Sequence, residues 1–261
     1  MDLSLTGKEA LICGSTQGIG LAIAKELAML GANCTLVARN ETALVEAVGL
    51  LKKNTGQEYR YRVADFQYPE QVKEMIAAHT REHPVHILVN NTGGPAPGPI
   101  TEATEDQFMR AFQQHIICNQ YLTQAVLPSM KAASFGRIIN IISTSVRIPL
   151  NNLGVSNTIR GATASWAKTL SNEVARYGIT VNNILPGFTK TSRLTSLISQ
   201  IATNSGSAVE AVTEQMEADV PAKRFGEVHE IAAVAAFLAS PAAAYVNGVS
   251  IPVDGGRTGS I

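Results

Sequence analysis

The sequence predicts an α/β protein: a parallel sheet of about seven strands, doubly wound, with helices on both faces. Three observations carry this. Short apolar runs of strand length alternate with stretches of helical period almost to the end of the chain. The runs are apolar throughout rather than alternately, as strands buried on both faces are. A glycine-rich turn, Gly14-Ser15-Thr16-Gln17-Gly18-Ile19-Gly20, joins the first run to the first helix. Such a turn lets backbone N–H groups at a helix N-terminus approach a phosphate closely.

The first strand is Ala10-Leu11-Ile12. Ile19, Ile23, Leu27 and Leu30 then recur at helical spacing, and Gly31 stops the helix. Asn33 to Ala38 is the second strand, with Arg39 at its end. A helix over Thr42 to Asn54 ends before Gly56. Tyr59 to Val63 is the third strand, followed by Ala64-Asp65-Phe66. Pro69 to Thr80 is helical, with proline in the first turn. His86 to Asn90 is the fourth strand, and Asn91 to Pro99 an extended loop. One long helix covers Glu105 to Lys131, with a bend or break at Pro128. Gly136 opens the fifth strand, Arg137 to Ile142. Ser156 to Tyr177 is a helix ended by Gly178, and Ile179 to Leu185 the sixth strand. Val228 to Leu238 is the last helix and Val249 to Val253 the last strand.

Residues 190–220 break the alternation. Two helical stretches, Leu194 to Ile201 and Ala208 to Ala218, flank the polar linker Thr203-Asn204-Ser205-Gly206. Ser207-Ala-Val-Glu210 has the form of a capping box for the second. A helical substrate flap is expected here, with a surface excursion or a subunit contact as the alternative. Its residues, like those of the Gly93–Pro99 loop, specify no ligand group. The whole chain, 1–261, reads as a single dinucleotide-binding domain.

Composition excludes several other roles. The 21 basic and 21 acidic residues leave no net charge and form no patch for nucleic acid or an anionic membrane. No apolar run approaches membrane-spanning length, and the N-terminal residues hold no signal-like apolar segment. Cys13, Cys34 and Cys118 lack metal or redox spacing, so no metal site is expected. Reduced thiols in a cytoplasmic protein fit that pattern.

The motifs, in order, carry a resemblance. Cys13-Gly14-Ser-Thr-Gln-Gly18-Ile-Gly20, Asn90-Asn91-Thr92-Gly93, Gly136-Arg-Ile-Ile-Asn-Ile-Ile-Ser143, Leu185-Pro186-Gly187 and Val253-Asp254-Gly255-Gly256 span nearly the whole chain. Together they resemble the short-chain dehydrogenase/reductase family, in its 3-oxoacyl-acyl-carrier-protein-reductase-like branch. The resemblance implies a Rossmann-type fold. It implies Gly14, Ser15, Thr16, Gln17, Gly18, Ile19 and Gly20 under the cofactor pyrophosphate. Asp65 and Phe66, Asn91 and Gly93 would line the adenosine side, with Pro186, Gly187 and Thr189 at the carboxamide end of the nicotinamide. It also implies a homodimer or homotetramer, joined through the helices Glu105–Lys131 and Ser156–Tyr177, acting on a small-molecule substrate.

Arg39 bears on cofactor choice. An NAD-preferring site places a carboxylate at the end of the second strand, to bind the ribose 2′-hydroxyl. Ala38 and Arg39 stand there instead, and a guanidinium fork suits a 2′-phosphate. NADP(H) is therefore favoured over NAD(H), although Gln17 is neutral where NADP-preferring relatives often carry a second base.

The family's catalytic set is Asn, Ser, Tyr and Lys. By resemblance Ser143 fills the serine position. Ser156 stands where the tyrosine would, Arg160 where the lysine would, and His115 where the asparagine would. None of the six tyrosines has a lysine four residues later. A phenol beside an ammonium can supply a proton near neutral pH; an aliphatic hydroxyl is a far poorer acid, and arginine does not release its proton. His115 is the remaining candidate acid, or else a packed structural histidine. Three readings follow: an NADP(H)-dependent oxidoreductase of a small carbonyl or acyl substrate with an altered proton route; a cofactor-binding protein with a sensing, regulatory or structural role; and lyase or isomerase chemistry on the same scaffold. The first is adopted on the family pattern.

Overall fold

The computed structural model describes residues 1–52 and 56–259. Seven strands form one sheet: β1 (Glu9–Cys13), β2 (Asn33–Ala38), β3 (Tyr59–Val63), β4 (Ile87–Asn90), β5 (Gly136–Ile141), β6 (Ile179–Pro186) and β7 (Ser250–Val253). Their order is β3-β2-β1-β4-β5-β6-β7, and every neighbouring pair is parallel. The chain reverses its winding between β1 and β4. The loops that leave the carboxyl ends of these two strands therefore part to opposite sides and open a crevice, where sheets of this kind bind ligands.

The central strands are largely apolar on both faces because each face is covered. On one face Ala10 and Ile12 of β1 meet Ile23 and Leu27 of α1 (Gly18–Met29) and Ile231 and Ala235 of α9 (Val228–Ala239). On the other, Leu11 and Cys13 meet Val72 and Ile76 of α3 (Pro69–Glu82) and Leu122 and Val126 of α5 (Cys118–Ala132). Ala167 and Val174 of α6 (Gly154–Val174) complete that layer. Each fully buried aliphatic side chain contributes about 1.5–3 kcal/mol.

A row of polar side chains crosses this second face in register. Asn90 donates to Asn140 (2.9 Å), Asn140 to Asn183 (2.9 Å) and Asn183 to Ser250 (3.0 Å). The three asparagines are buried, so each amide depends on its neighbour. Asn140→Leu removes the middle link and strands a donor on Asn90 and an acceptor on Asn183. It is expected to cost about 2–6 kcal/mol, at about 1–3 kcal/mol per unsatisfied group. Urea unfolding measures this, and an unchanged midpoint would refute it.

Four expectations from the sequence are corrected. The helix expected over Thr42 to Asn54 is α2 (Glu41–Gly49); Leu50 already closes it by donating its N–H to Ala47, and Asn54 lies outside the described residues. The long helix does not break at Pro128, which sits inside α5 four residues before its end. It is interrupted earlier, between α4 (Glu105–Phe112) and α5, by a π-helical turn at Gln113–Ile117. In residues 190–220 the linker is shorter than expected, because Thr203 and Ser205 belong to α7 (Ser192–Ser205). Their hydroxyls donate to the carbonyls of Ser199 and Ile201 one turn back, which makes polar residues compatible with helix. The Ser207/Glu210 capping box does not form. Ala208 is the N-cap of α8 (Val209–Ala218), which puts Glu210 one position too early, and the Ser207 N–H closes the end of α7 on Ala202. The two flap helices share a small core of Leu194, Ile198, Val212, Met216 and Phe225.

Candidate cofactor and active site

The glycine turn leaves β1 and enters α1 in a backbone path that only glycine follows at two points. Gly14 and Gly18 have φ of +58° and +57°. A Cβ on Gly14 would collide with the Asn91 carbonyl oxygen, and one on Gly20 with the Gly14 carbonyl oxygen. Asn91, just past β4, holds the turn from behind by donating to the carbonyls of Cys13 (3.2 Å) and Gly14 (3.1 Å). The first turn of α1 keeps its N–H groups free, since Gln17, its N-cap, makes no side-chain cap bond. Thr16 and Ile19 are half-buried beside it. This cradle fits a pyrophosphate by its free donors and by the space that missing side chains leave. The Ser15 hydroxyl is committed inside the fold: it donates to Ile12 (2.8 Å) and accepts from the Val37 N–H (3.1 Å). Only its backbone remains for a ligand.

Arg39 follows β2 and is exposed, with no ion pair or hydrogen bond among the described residues. The adjacent Asn40 is occupied in capping α2. After β3, the Asp65 carboxylate accepts from the Gln67 N–H (3.0 Å), and Phe66 is buried with its carbonyl against the Cys118 thiol. At the other end of the crevice Pro186 ends β6. The Gly187 N–H bonds Val253, and a Cβ on Gly187 would press on Asp254. Thr189 is buried and donates to the Gly187 carbonyl (3.1 Å). Thr191, which caps α7, lies across the turn at Gly18: its methyl would stand 3.5 Å from a Cβ there. The start of the flap thus touches the cradle.

Ser143 ends the strand-to-turn passage after β5. Its Oγ accepts from the Ser145 N–H (3.1 Å), which leaves its proton free to donate. Ser156 and Arg160 are four residues apart on α6 and share a face. Ser156 is buried. Arg160 donates to the Ile141 carbonyl (2.9 Å), so the guanidinium is pinned to the end of β5. Its Nε is shielded from solvent and has no partner. Burial, and the positive charge of Arg193 second, pull the Arg160 pKa down to about 10.

His115 lies in the π-helical turn, a local widening that often marks functional positions in helices. It is buried, with Nδ1 2.7 Å from the Thr92 hydroxyl and Nε2 unpartnered. Burial first, then the charges of Arg160 and Arg193, push its pKa well below the usual histidine range, against a weaker opposing bond with the Gly93 backbone. The imidazole is therefore neutral at neutral pH. The three cysteines are buried, and burial raises each thiol pKa, so none is a nucleophile.

Sequence reasoning missed Arg193. From α7 it reaches across to the loop after β4 and donates to the carbonyls of Gly94 (2.9 Å) and Pro95 (3.2 Å). It missed Gly94 too, where a Cβ would stand 2.7 Å from that guanidinium; Gly93, which it did select, has open space around it. An arginine among polar flap residues reads as a solvated charge, and only the fold reveals its reach.

No described helix is long and apolar enough to cross a membrane. Residues 14–258 match a family model described as enoyl-(acyl carrier protein) reductase. The 3-oxoacyl-[acyl-carrier-protein] reductase of Haemophilus influenzae is 34% identical over 258 residues, covering 97% of this chain and 98% of that one. L-sorbose reductase from Gluconobacter frateurii, solved with NADPH and L-sorbose, superposes with a TM-score of 0.93 at 31% identity over the full length of both chains. A xylitol dehydrogenase solved with NAD+ superposes with a TM-score of 0.88 at 29% identity, covering 96% of this chain and 99% of that one. The two solved relatives hold a nicotinamide cofactor, one with and one without the 2′-phosphate. The chain belongs to the short-chain dehydrogenase/reductase family of oxidoreductases, in its 3-oxoacyl-acyl-carrier-protein-reductase-like branch.

Proposed function

We propose that the protein is an NADP(H)-dependent reductase of a small carbonyl or acyl substrate that works without the family's tyrosine and lysine. The observation that carries this reading is the glycine cradle, locked by Asn91, with Arg39 unpaired at the end of β2. When bound, the nicotinamide supplies the hydride. Arg160 and the Ser143 hydroxyl hold the oxygen of the substrate carbonyl as it gains charge. Fixed donors of this kind stabilise a developing oxyanion. The proton comes from water, because neither group releases one readily. His115, held neutral, orients the loop after β4 through Thr92 instead of acting as the acid. Asp65, Phe66 and Gly93 line the adenosine side, and Pro186, Gly187 and Thr189 the carboxamide end. A homodimer or homotetramer in the cytoplasm belongs to the same reading, supported by Met109 and Phe112, which α4 leaves exposed.

Calorimetric titration with NADPH and NADH, then a carbonyl panel followed by nicotinamide absorbance, tests the reading. NADPH is expected to bind more tightly than NADH and to be consumed with at least one carbonyl. Binding with no turnover across the panel would overturn the enzyme reading. Arg39→Ala is expected to weaken NADPH about tenfold to 100-fold and NADH by less than about threefold, since a charge-assisted hydrogen bond contributes about 1.5–3 kcal/mol. Equal losses would place Arg39 outside 2′-phosphate recognition.

A further inference from the structure

Two arginines beside the candidate active site, half-buried Arg160 and exposed Arg193, have no acidic partner among the described residues. Four arginines are paired with carboxylates: Arg60 with Glu9, Arg62 with Glu82, Arg110 with Asp106 and Arg224 with Glu230. Arg137 is buried without a carboxylate, but the carbonyls of Gly136, Gly178 and Ser240 and the Phe135 ring surround it. Arg160 has one carbonyl, that of Ile141, and a buried Nε with nothing to bond. Arg193 has two neutral carbonyls at the rim of the same site. Arg193 and His115 hold the same loop after β4, at Gly94 and Pro95 and at Thr92, and the charges of both arginines bear on His115. Arg160 is half-buried with spare donors and no compensating anion, which is costly, and exposed Arg193 adds a second cation at the rim; the chain supplies no negative group to either among its described residues. The buried and unpartnered Nε2 of His115 adds a further polar atom without a protein partner.

We propose that this pair of arginines is a subsite for the carboxylate of the substrate, which makes the substrate a small keto acid rather than a neutral ketone. The inference rests on the reductase reading and names its substrate class. A carboxylate presents two oxygens to a guanidinium fork and would satisfy the free donor edges that the backbone carbonyls leave. Arg193 stands on the flap and bonds the loop after β4, so a bound carboxylate would join flap, loop and α6 around itself. The keto group would then lie beside Ser143 and Arg160. Specificity follows from the same geometry: a ligand without the negative charge leaves both cations uncompensated.

The test uses the full chain saturated with NADPH. The probes are acetoacetate, 2-oxoglutarate and phenylpyruvate, each against its methyl ester, with binding read by calorimetry and turnover by nicotinamide absorbance. At least one acid is expected to bind tenfold or more tightly than its ester. Arg193→Gln is expected to remove that preference, Arg193→Lys to restore part of it, and NADPH affinity to move by less than threefold in both. Thermal melts of both variants separate loss of the subsite from loss of the fold. Equal binding of acid and ester overturns the proposal, as does failure of every acid to bind at millimolar concentration. A loss of NADPH affinity in Arg193→Gln as large as the loss for the acid overturns it too, because the anion held there would be the cofactor's own phosphate. The two readings fail separately: an acid that binds by charge but is never reduced refutes the reductase, while esters reduced as well as acids refute the subsite.

Discussion

Gly20→Ala is expected to weaken NADPH binding by about 100-fold or more, a loss of about 2.7 kcal/mol or greater. Alanine favours a helix interior over glycine by about 1 kcal/mol, so propensity alone predicts a gain in stability. Contact reverses this. The new methyl would overlap the Gly14 carbonyl oxygen and stand 2.7 Å from the Asn91 amide nitrogen. Neither neighbour can retreat cheaply. One is backbone at a positive φ, and the other is the side chain that braces the turn. The first turn of α1 must shift away from β1, and its free N–H groups move with it. Gly49→Ala, at the end of α2, is the matched control: nothing lies within 4 Å of a Cβ there, and its φ needs no left-handed conformation. Its NADPH affinity is expected within about threefold of the parent protein, because a single methyl in open space changes a binding free energy by less than 1 kcal/mol. Calorimetry on both, with thermal melts, decides. If Gly20→Ala binds NADPH normally, the cradle is not the cofactor seat.

The contrast between Gly93 and Gly94 shows where reading the sequence stopped. Strands were legible because β1, β4, β5 and β6 are covered on both faces and are predominantly apolar, with few polar interruptions. The glycine turn was legible because the residues that form it are adjacent. What was lost depended on long-range register or on backbone geometry without a residue signature. The Asn90–Asn140–Asn183 row needs strands 50 and 43 residues apart to align. The π-helical turn that buries His115 has an ordinary helical sequence, so a heptad-like count runs straight through it. Arg193 gains its meaning from Gly94, 99 residues earlier in the chain. Helix ends in the flap were misplaced because Thr203 and Ser205 satisfy their own hydroxyls inside α7.

Arg160→Gln is the sharpest test of the chemistry. Glutamine keeps hydrogen-bonding capacity and much of the side-chain length but removes the charge. With the oxyanion held by Arg160 and Ser143, kcat is expected to fall about 10²- to 10³-fold, the loss that follows removal of one fixed donor from an oxyanion site. NADPH affinity should change much less, while KM for a keto acid rises as well, because Arg160 is also half of the carboxylate subsite. Arg160→Lys is expected to recover part of kcat by restoring the charge without the fork. The pH profile supplies the second readout. Burial lowers the guanidinium pKa only to about 10, so Arg160 stays charged from pH 6 to 9. His115 is held neutral across the same range, because desolvation and two nearby cations push its pKa well below 6.5. Neither group changes protonation there, and kcat/KM is expected to be flat between pH 6 and 8. Were His115 the proton donor, activity would fall as pH rises through the histidine pKa, and the slope would vanish in His115→Asn. A flat profile together with a large loss in Arg160→Gln assigns the step to a fixed cation and a solvent proton. Full activity in Arg160→Gln would remove Arg160 from the reaction and with it the proposed substitute for the phenol.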